Sequence, residues 1–310
     1  MSDISFTIRN FHSDDFNGYV QLHIEAEKFD RSGRHISSRA FAEYLGRPNY
    51  SPERDLFIAE TDGKIIGYMS LTPELGIGRG LLDCLVHPRH RRKGVATQLF
   101  SRAKDRAKEL GVEVIQFSIR EANAAAKGLA SRLDFKFIRH FLELKLDLCN
   151  THLPDVKQGG FVTRQLRVGE EDKLLEIQNR SFLGTWGFNP NTIEEIVYRI
   201  HLSGTSPEDV IMAFEGDKPI GYCWTRVKVE GNAAKIKNTG QIHMLGVDPN
   251  CQKKGIGKEI LLTGLAHLKR KDIKVVELTV DSESHAARCL YESLGFEVCS
   301  KTMWYEKAVE

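Results

Sequence analysis

Hydrophobic and polar positions follow one order along the chain, twice. A short alternating segment, Phe6–Arg9, precedes an acidic helix start at Asp14-Asp15, and the same succession recurs at Phe161–Arg164 and Glu170-Glu171. Two strand-like runs then oppose each other across a turn, Leu56–Glu60 with Ile65–Thr72 and later Val210–Phe214 with Ile220–Lys228. An apolar strand (Gly80–Val86; Gln241–Val247) leads through a basic, glycine-containing loop into an amphipathic helix (Val95–Leu110; Ile256–Lys271). A further apolar strand (Val112–Ile119; Ile273–Val280) precedes a short helix starting near Asn123 or Ser284, and each run closes on Phe135 or Phe296 and a last strand. Strand–helix–strand order in the middle predicts a parallel pair at the centre of a mixed sheet flanked by helices. The class is α/β with α+β character.

The order recurs because the sequence does. Gly94 and Gly255 lie 161 residues apart, and the same spacing pairs Val86 with Val247, Pro88 with Pro249, Lys93 with Lys254, Leu129 with Leu290 and Phe135 with Phe296. Upstream, Asp55–Tyr68 mirrors Asp209–Tyr222 at a spacing of 154, and the seven-residue difference predicts a longer hairpin around Val227–Thr239 in the second copy. Two homologous domains follow, 1–154 and 155–310, joined where Pro154 and Gly159-Gly160 break the pattern.

Composition narrows the function little. Across 310 residues, 44 basic against 42 acidic side chains leave a net charge of +2, so bulk electrostatics implies neither a nucleic-acid nor a membrane partner. No apolar run reaches the roughly 18–20 residues of a membrane helix, and no secretory leader pattern opens the chain. The six scattered cysteines show no CxxC pair or zinc spacing, so no metal and a reducing cytoplasm are expected. A monomer or a homodimer is compatible with these features.

The informative element is the loop VHPRHRRKGVATQL, repeated as VDPNCQKKGIGKEI, at a strand end and a helix start. Unpaired backbone N–H groups and the positive end of the helix dipole bind phosphate there, and glycine lets the backbone approach closely. Arg91, Arg92 and Lys93, or Lys253, Lys254 and Lys258, add charge for an anionic ligand. Walker and dinucleotide-fold glycine patterns are absent. Arg91-x-x-Gly94-x-Ala96 and Gln252-x-x-Gly255-x-Gly257 instead resemble the phosphate loop of the GNAT superfamily of N-acetyltransferases, as does the later SHAARCLYESLGF. Within it, the tandem arrangement and the second copy's motifs are most similar to the mycothiol synthase family.

That resemblance implies two GNAT-like domains, each with a mostly antiparallel, splayed sheet, and acyl transfer from acetyl-coenzyme A to an amine. Coenzyme A would be held at Val247, Gln252, Lys253, Lys254, Gly255, Ile256, Gly257 and Lys258, with its pantetheine arm along Leu245, Gly246 and Val247. Ser284 stands where the family has an asparagine, and it retains the ability to cap its helix. The matching residues of the first copy are Val86, Arg91, Arg92, Lys93, Gly94, Val95, Ala96, Thr97 and Asn123. Tyr291 takes the place of the acid that protonates the departing thiolate; its alternative is a core aromatic. Gln241, where relatives often carry glutamate, cannot accept a proton, so the base falls to His243, two residues on and on the same face, unless that histidine is merely buried. Glu277 and Glu283 are weaker candidates, and His285 is expected in solvent. The first copy has Ala130 at the tyrosine position and Asp134 before Phe135, and is expected to be catalytically degenerate.

Trp186, Phe188 and Trp224 are candidates to contact the acceptor or to pack a domain interface, while the polar stretch Asp30–Arg39 is expected to be a mobile loop. A small-molecule amine is the expected acceptor. The alternatives are acetylation of protein N-termini or lysines, and a non-catalytic acyl-coenzyme-A sensor.

Overall fold

The computed structural model of the chain describes residues 5–30, 37–154, 160–232 and 235–310. The first copy contains β1 (Thr7–Asn10), α1 (Phe16–Asp30), α2 (Ser38–Leu45), α3 (Pro52–Asp55), β2 (Leu56–Thr61), β3 (Lys64–Glu74), β4 (Arg79–Val86), α4 (Val95–Glu109), β5 (Val114–Arg120), α5 (Ala124–Arg132) and β6 (Lys136–Asp147). The second contains β7 (Val162–Gln165), α6 (Glu171–Phe182), α7 (Ile193–Ile200), β8 (Val210–Glu215), β9 (Lys218–Asn232), β10 (Lys235–Val247), α8 (Ile256–Arg270), β11 (Val275–Asp281), α9 (His285–Glu292) and β12 (Glu297–Ala308). Beyond the pattern read from sequence are the short helices α2, α3 and α7. Thr192 and Glu195 form a reciprocal capping box that starts α7.

By packing, the chain forms one unit of residues 1–139 with 303–310, and another of residues 140–302. The expected join near residue 155 lies outside the described residues, as do residues 31–36 of the polar stretch. In the first unit β1 to β4 pair antiparallel in order, and β4 runs parallel to β5 through Arg79–Leu81. Side chains alternate along β2: Phe57 and Ala59 pack with α4 residues such as Leu99 and Ala103, whereas Leu56 and Ile58 pack with Tyr19, Leu22 and Phe41 of α1 and α2. From the end of the chain, Tyr305 stacks on Phe117 at 5.8 Å between ring centres.

The second unit repeats the plan. β6 pairs antiparallel with β11, β11 runs parallel to β10 through Gly240–Ile242, and β9, β8 and β7 follow antiparallel. One face, with Ile211, Ala213 and Cys223, packs on α8; the other, with Val210, Met212, Tyr222 and Trp224, packs on Leu174, Ile177, Ile196 and Ile200 of α6 and α7. Each unit thus holds the mixed, mostly antiparallel sheet with a parallel pair that the sequence pattern predicts.

The pairings also locate the seven extra residues. Gly80 opposes Pro73 and Gly240 opposes Val227, so six of the additional residues extend the β9–β10 hairpin. The seventh lies within β10, where register shifts between Ile242 and Met244 and leaves His243 as a β-bulge; the β3–β4 ladder has none. His243 is therefore an insertion, without an equivalent in the first copy.

Candidate active site

The two basic loops fold alike. Gly94 and Gly255 cap α4 and α8 in left-handed conformation, at φ of +81° and +84°. Two residues earlier Arg92 and Lys253 are left-handed as well, at φ of +64° and +61°. A side chain at a left-handed position costs about 1–2 kcal/mol, which is why glycine holds the cap and a strained cation is tolerated only once per loop. Buried Val95 and Ile256 anchor each helix start in the core. At position 257 an added Cβ would sit 3.5 Å from Val247, an ordinary contact, which accounts for Ala96 in the other copy.

Charge separates the loops. Arg91 donates its Nε to Val86 O at 3.0 Å and clamps Asp30 with both terminal nitrogens, at 2.8 and 2.5 Å. At the equivalent place Gln252 reaches Val247 O at 3.4 Å and carries no charge to neutralise. Lys253, Lys254 and Lys258 are exposed, with no ion pair among the described residues.

Next to the second loop, β10 leaves its parallel partner. Pairing with β11 stops at Ile242–Leu278, yet β10 runs on to Val247 and β11 to Asp281. Along Leu245, Gly246 and Val247 the ladder with β9 continues, so on the β11 side this stretch presents an unpaired strand edge. Gly246 permits close packing beneath it: a Cβ there would lie 2.6 Å from Tyr222 Cε1 and 2.8 Å from Ser181 Cβ.

The face toward α6 and α7 is cationic. Trp224 lies edge-on to His243 at 5.3 Å and carries the Arg226 guanidinium at 5.2 Å from its ring centre. Arg199 of α7 donates to Asn191 Oδ1 at 2.6 Å. Burial, reinforced by Arg226, Arg199 and Lys228, pulls the His243 imidazole well below its ordinary value, so it is neutral at neutral pH. Neutral His243 offers a lone pair, but it holds a proton weakly.

Tyr291 is buried in the core with Phe296 edge-on at 5.7 Å, and burial raises its hydroxyl pKa, so it stays protonated. The equivalent Ala130 is fully buried. Ser284 occupies the N-cap of α9 but its side chain makes no cap bond, contrary to expectation, whereas Asn123 accepts from Ala126 N at 3.0 Å. The difference follows from the shorter hydroxymethyl side chain at nearly the same backbone angles. Trp186 packs against Phe141 and Phe188 stacks on Phe182. Trp224 is fully buried with its indole N–H on Thr205, so it has no open surface of its own and forms the floor under Arg226 and His243. Glu277 is paired with Lys145 at 3.0 Å, and Glu283 and His285 are exposed.

Sequence reading missed Arg199, Arg226 and Tyr222. The available signal was the alternation in GYCWTRVKVE, which puts Tyr222, Trp224 and Arg226 on one face of β9. Among the described residues no cluster of His, Cys, Asp or Glu is set to hold a metal, and no helix is long and apolar enough to cross a membrane.

Comparison with known proteins gives a consistent picture. A family model described as acetyltransferase (GNAT) family matches residues 18–135 and 172–296. A mycothiol acetyltransferase of Geodermatophilus obscurus is 29% identical over 255 residues, 78% of this chain and 79% of that protein. A GCN5-related N-acetyltransferase from Sphaerobacter thermophilus superposes with a TM-score of 0.74 at 21% identity, covering 98% of this chain and 96% of its own. A tandem GNAT protein from the clavulanic acid biosynthesis pathway gives 0.72 at 17% identity, covering 99% of both chains.

Proposed function

The chain belongs to the GNAT acetyltransferase family and is an N-acetyltransferase, and from that premise we propose that residues 155–310 transfer an acetyl group from acetyl-coenzyme A to a primary amine of a small metabolite. What supports this most is the continuation of β10 past its parallel partner into a glycine-capped helix start flanked by three exposed lysines. The edge offers backbone amides for an extended amide-bearing arm, and the helix start offers N–H groups for a diphosphate. These residues fit acetyl-coenzyme A, which when bound supplies an activated thioester.

The remaining chemistry falls to side chains on either side of that edge. The amine must be neutral to attack, and deprotonation costs about 1.4 kcal/mol for each unit by which its pKa exceeds the pH. Arg199, Arg226 and Lys228 supply a positive surrounding that lowers an ammonium pKa, as it does for His243. Neutral His243 accepts a hydrogen bond from the nitrogen and passes the proton on to water. As the C–N bond forms and the C–S bond breaks, the Tyr291 hydroxyl protonates the sulfur, then recovers its proton from solvent. The first copy keeps the loop but has alanine at position 130, and is assigned a supporting role without chemistry.

Calorimetry with acetyl-coenzyme A, followed by thiol-release assays over a panel of small amines and peptides, tests the proposal. Saturable heat and release with small amines are expected. Binding without release, or release only with peptides, would replace it by the sensor or protein-acetyltransferase reading.

A further inference from the structure

Arg226 differs from the other cations of the second unit. Its Nε and Nη2 are out of contact with solvent and have no hydrogen-bond partner among the described residues. These two donors lie on one edge of the guanidinium, the fork that meets two oxygens of an acidic group side-on. Four residues away on the same face, the Tyr222 hydroxyl is also buried without a partner among the described residues. The surroundings make this costly: burial, then Arg199, pull the Arg226 guanidinium down to about 10. A protein gains nothing in folding by burying an unpaired cation beside another.

Equivalent positions in the first copy are satisfied within the protein. Tyr68, matching Tyr222, donates to Asp83 at 2.6 Å; Ser70, matching Trp224, meets the Tyr44 hydroxyl at 3.3 Å; Thr72, matching Arg226, receives Arg47 at 2.6 Å. Polar atoms left over on that face, His23 Nε2 and the Tyr50 hydroxyl, are uncharged, because burial holds the His23 pKa near 4. In the second copy Met244 opposes Trp224 where Asp83 opposes Ser70, which removes the tyrosine's acceptor, and an arginine replaces the threonine. The same face has changed from self-satisfied to wanting an acceptor.

Building on the acetyltransferase reading above, we propose that the acceptor carries an acidic group, a carboxylate or a phosphate monoester, in addition to its amine, and that this group docks on the Nε–Nη2 edge of Arg226 beside Arg199. A plain cationic amine meets only like charge here. An acid-bearing amine brings its own compensation, leaving the amine near His243 under the positive field that favours its neutral form. Arg226 is a specificity-determining residue on this assignment.

Matched pairs of acceptors test it in the intact chain: amino acids against their carboxamides, and aminoalkyl phosphates against the corresponding amino alcohols, assayed by thiol release with saturating acetyl-coenzyme A. The acid-bearing member of at least one pair is expected to show a kcat/KM at least ~100-fold above its neutral partner, since a site built around a polar group discriminates strongly against its absence. Which pair shows it separates carboxylate from phosphate. R226M is expected to reduce that ratio to within about threefold, with R226K intermediate, while calorimetric affinity for acetyl-coenzyme A stays at the wild-type value. Equal turnover of acid and neutral partners overturns this inference and leaves the acetyltransferase reading standing; no release with any amine and no acetyl-coenzyme A binding overturns that reading instead. Folding gives an independent readout. Without ligand R226M is expected to melt at or above the wild-type temperature, and a clear loss of melting temperature shows that Arg226 is a structural residue and sinks the proposal.

Discussion

Two copies of one fold have kept the same basic-loop backbone and parted on the opposite side of the sheet. Left-handed residues at 92 and 94 reappear at 253 and 255, and buried Val95 and Ile256 anchor the helix behind them. This turn connects a central strand to its helix, so folding alone maintains it in a copy that has lost Tyr291's counterpart. Side chains facing α1 and α2, or α6 and α7, are under no such constraint. In the first copy they pair with one another through Asp83, Tyr44 and Arg47; in the second they leave two buried guanidinium nitrogens and a hydroxyl unmatched among the described residues. A retained loop therefore marks ancestry, whereas unmatched polar atoms distinguish the copy to which we assign the acceptor.

Tyr291→Phe should break the comparison if it can be broken, with the largest effect. A loss of roughly 10²–10³ in kcat is expected in thiol release, with acetyl-coenzyme A affinity within twofold of wild type. Full turnover in this variant, combined with loss on changing the first loop, would reverse the assignment of roles. Valine at the two capping glycines comes next. Both changes cost roughly 1–2 kcal/mol of folding for a β-branched residue at positive φ, and both should lower the melting temperature. Only Gly255→Val is expected to weaken acetyl-coenzyme A by more than about tenfold and to slow turnover, whereas Gly94→Val should leave turnover within about twofold.

Titration sharpens the picture further. Because burial and the neighbouring cations hold His243 well below its ordinary value, its protonation occurs far down in pH. The kcat/KM profile from pH 5.5 to 9 should rise with deprotonation of the amine and show no limb near 6.5. His243→Gln should lower the rate without moving the inflection. The smallest effect concerns the acidic starts of α1 and α6. Hydrogen bonds from Arg164 draw the Glu170 carboxyl down to about 2, and Arg9 lowers Asp15 likewise. A folded pKa below the unfolded one stabilises above about 4.3 and loses that contribution as pH falls towards 2. Glu170→Gln should lower the melting temperature by a few degrees at pH 7, since a partly exposed pair is worth about 1 kcal/mol, and the gap to wild type should close by pH 2.

The repeat and its elements were legible because each depends on local periodicity: alternation on β2 and β8, a helical stripe on α4 and α8, glycine at two helix starts. The eight-residue helices α2 and α7 were not, although the Thr192–Glu195 cap announces the second. The turn at residues 252–258 was legible from sequence because its conformation is set by backbone next to it in the chain. Arg226 was not. An arginine closing an apolar run reads as a side chain reaching solvent, and only its surroundings, with Trp224 beneath it and no hydrogen-bond partner for Nε and Nη2 among the described residues, show otherwise. The bulge at His243 was not legible either: an ungapped alignment pairs that residue with Leu82, whereas the ladder shows an added residue.

That added residue sets a limit on exchange between the halves. Six steps separate Gly80 from Val86 and seven separate Gly240 from Val247, yet both ends of each strand point the same way, because the bulge absorbs the odd step. Four positions of β10 thus line a side that β4 lines with three. Point substitutions change what a position carries but never how many positions there are. Giving β4 the outline of β10 requires lengthening the strand by one codon, and a drift of isolated replacements does not lead back across that step.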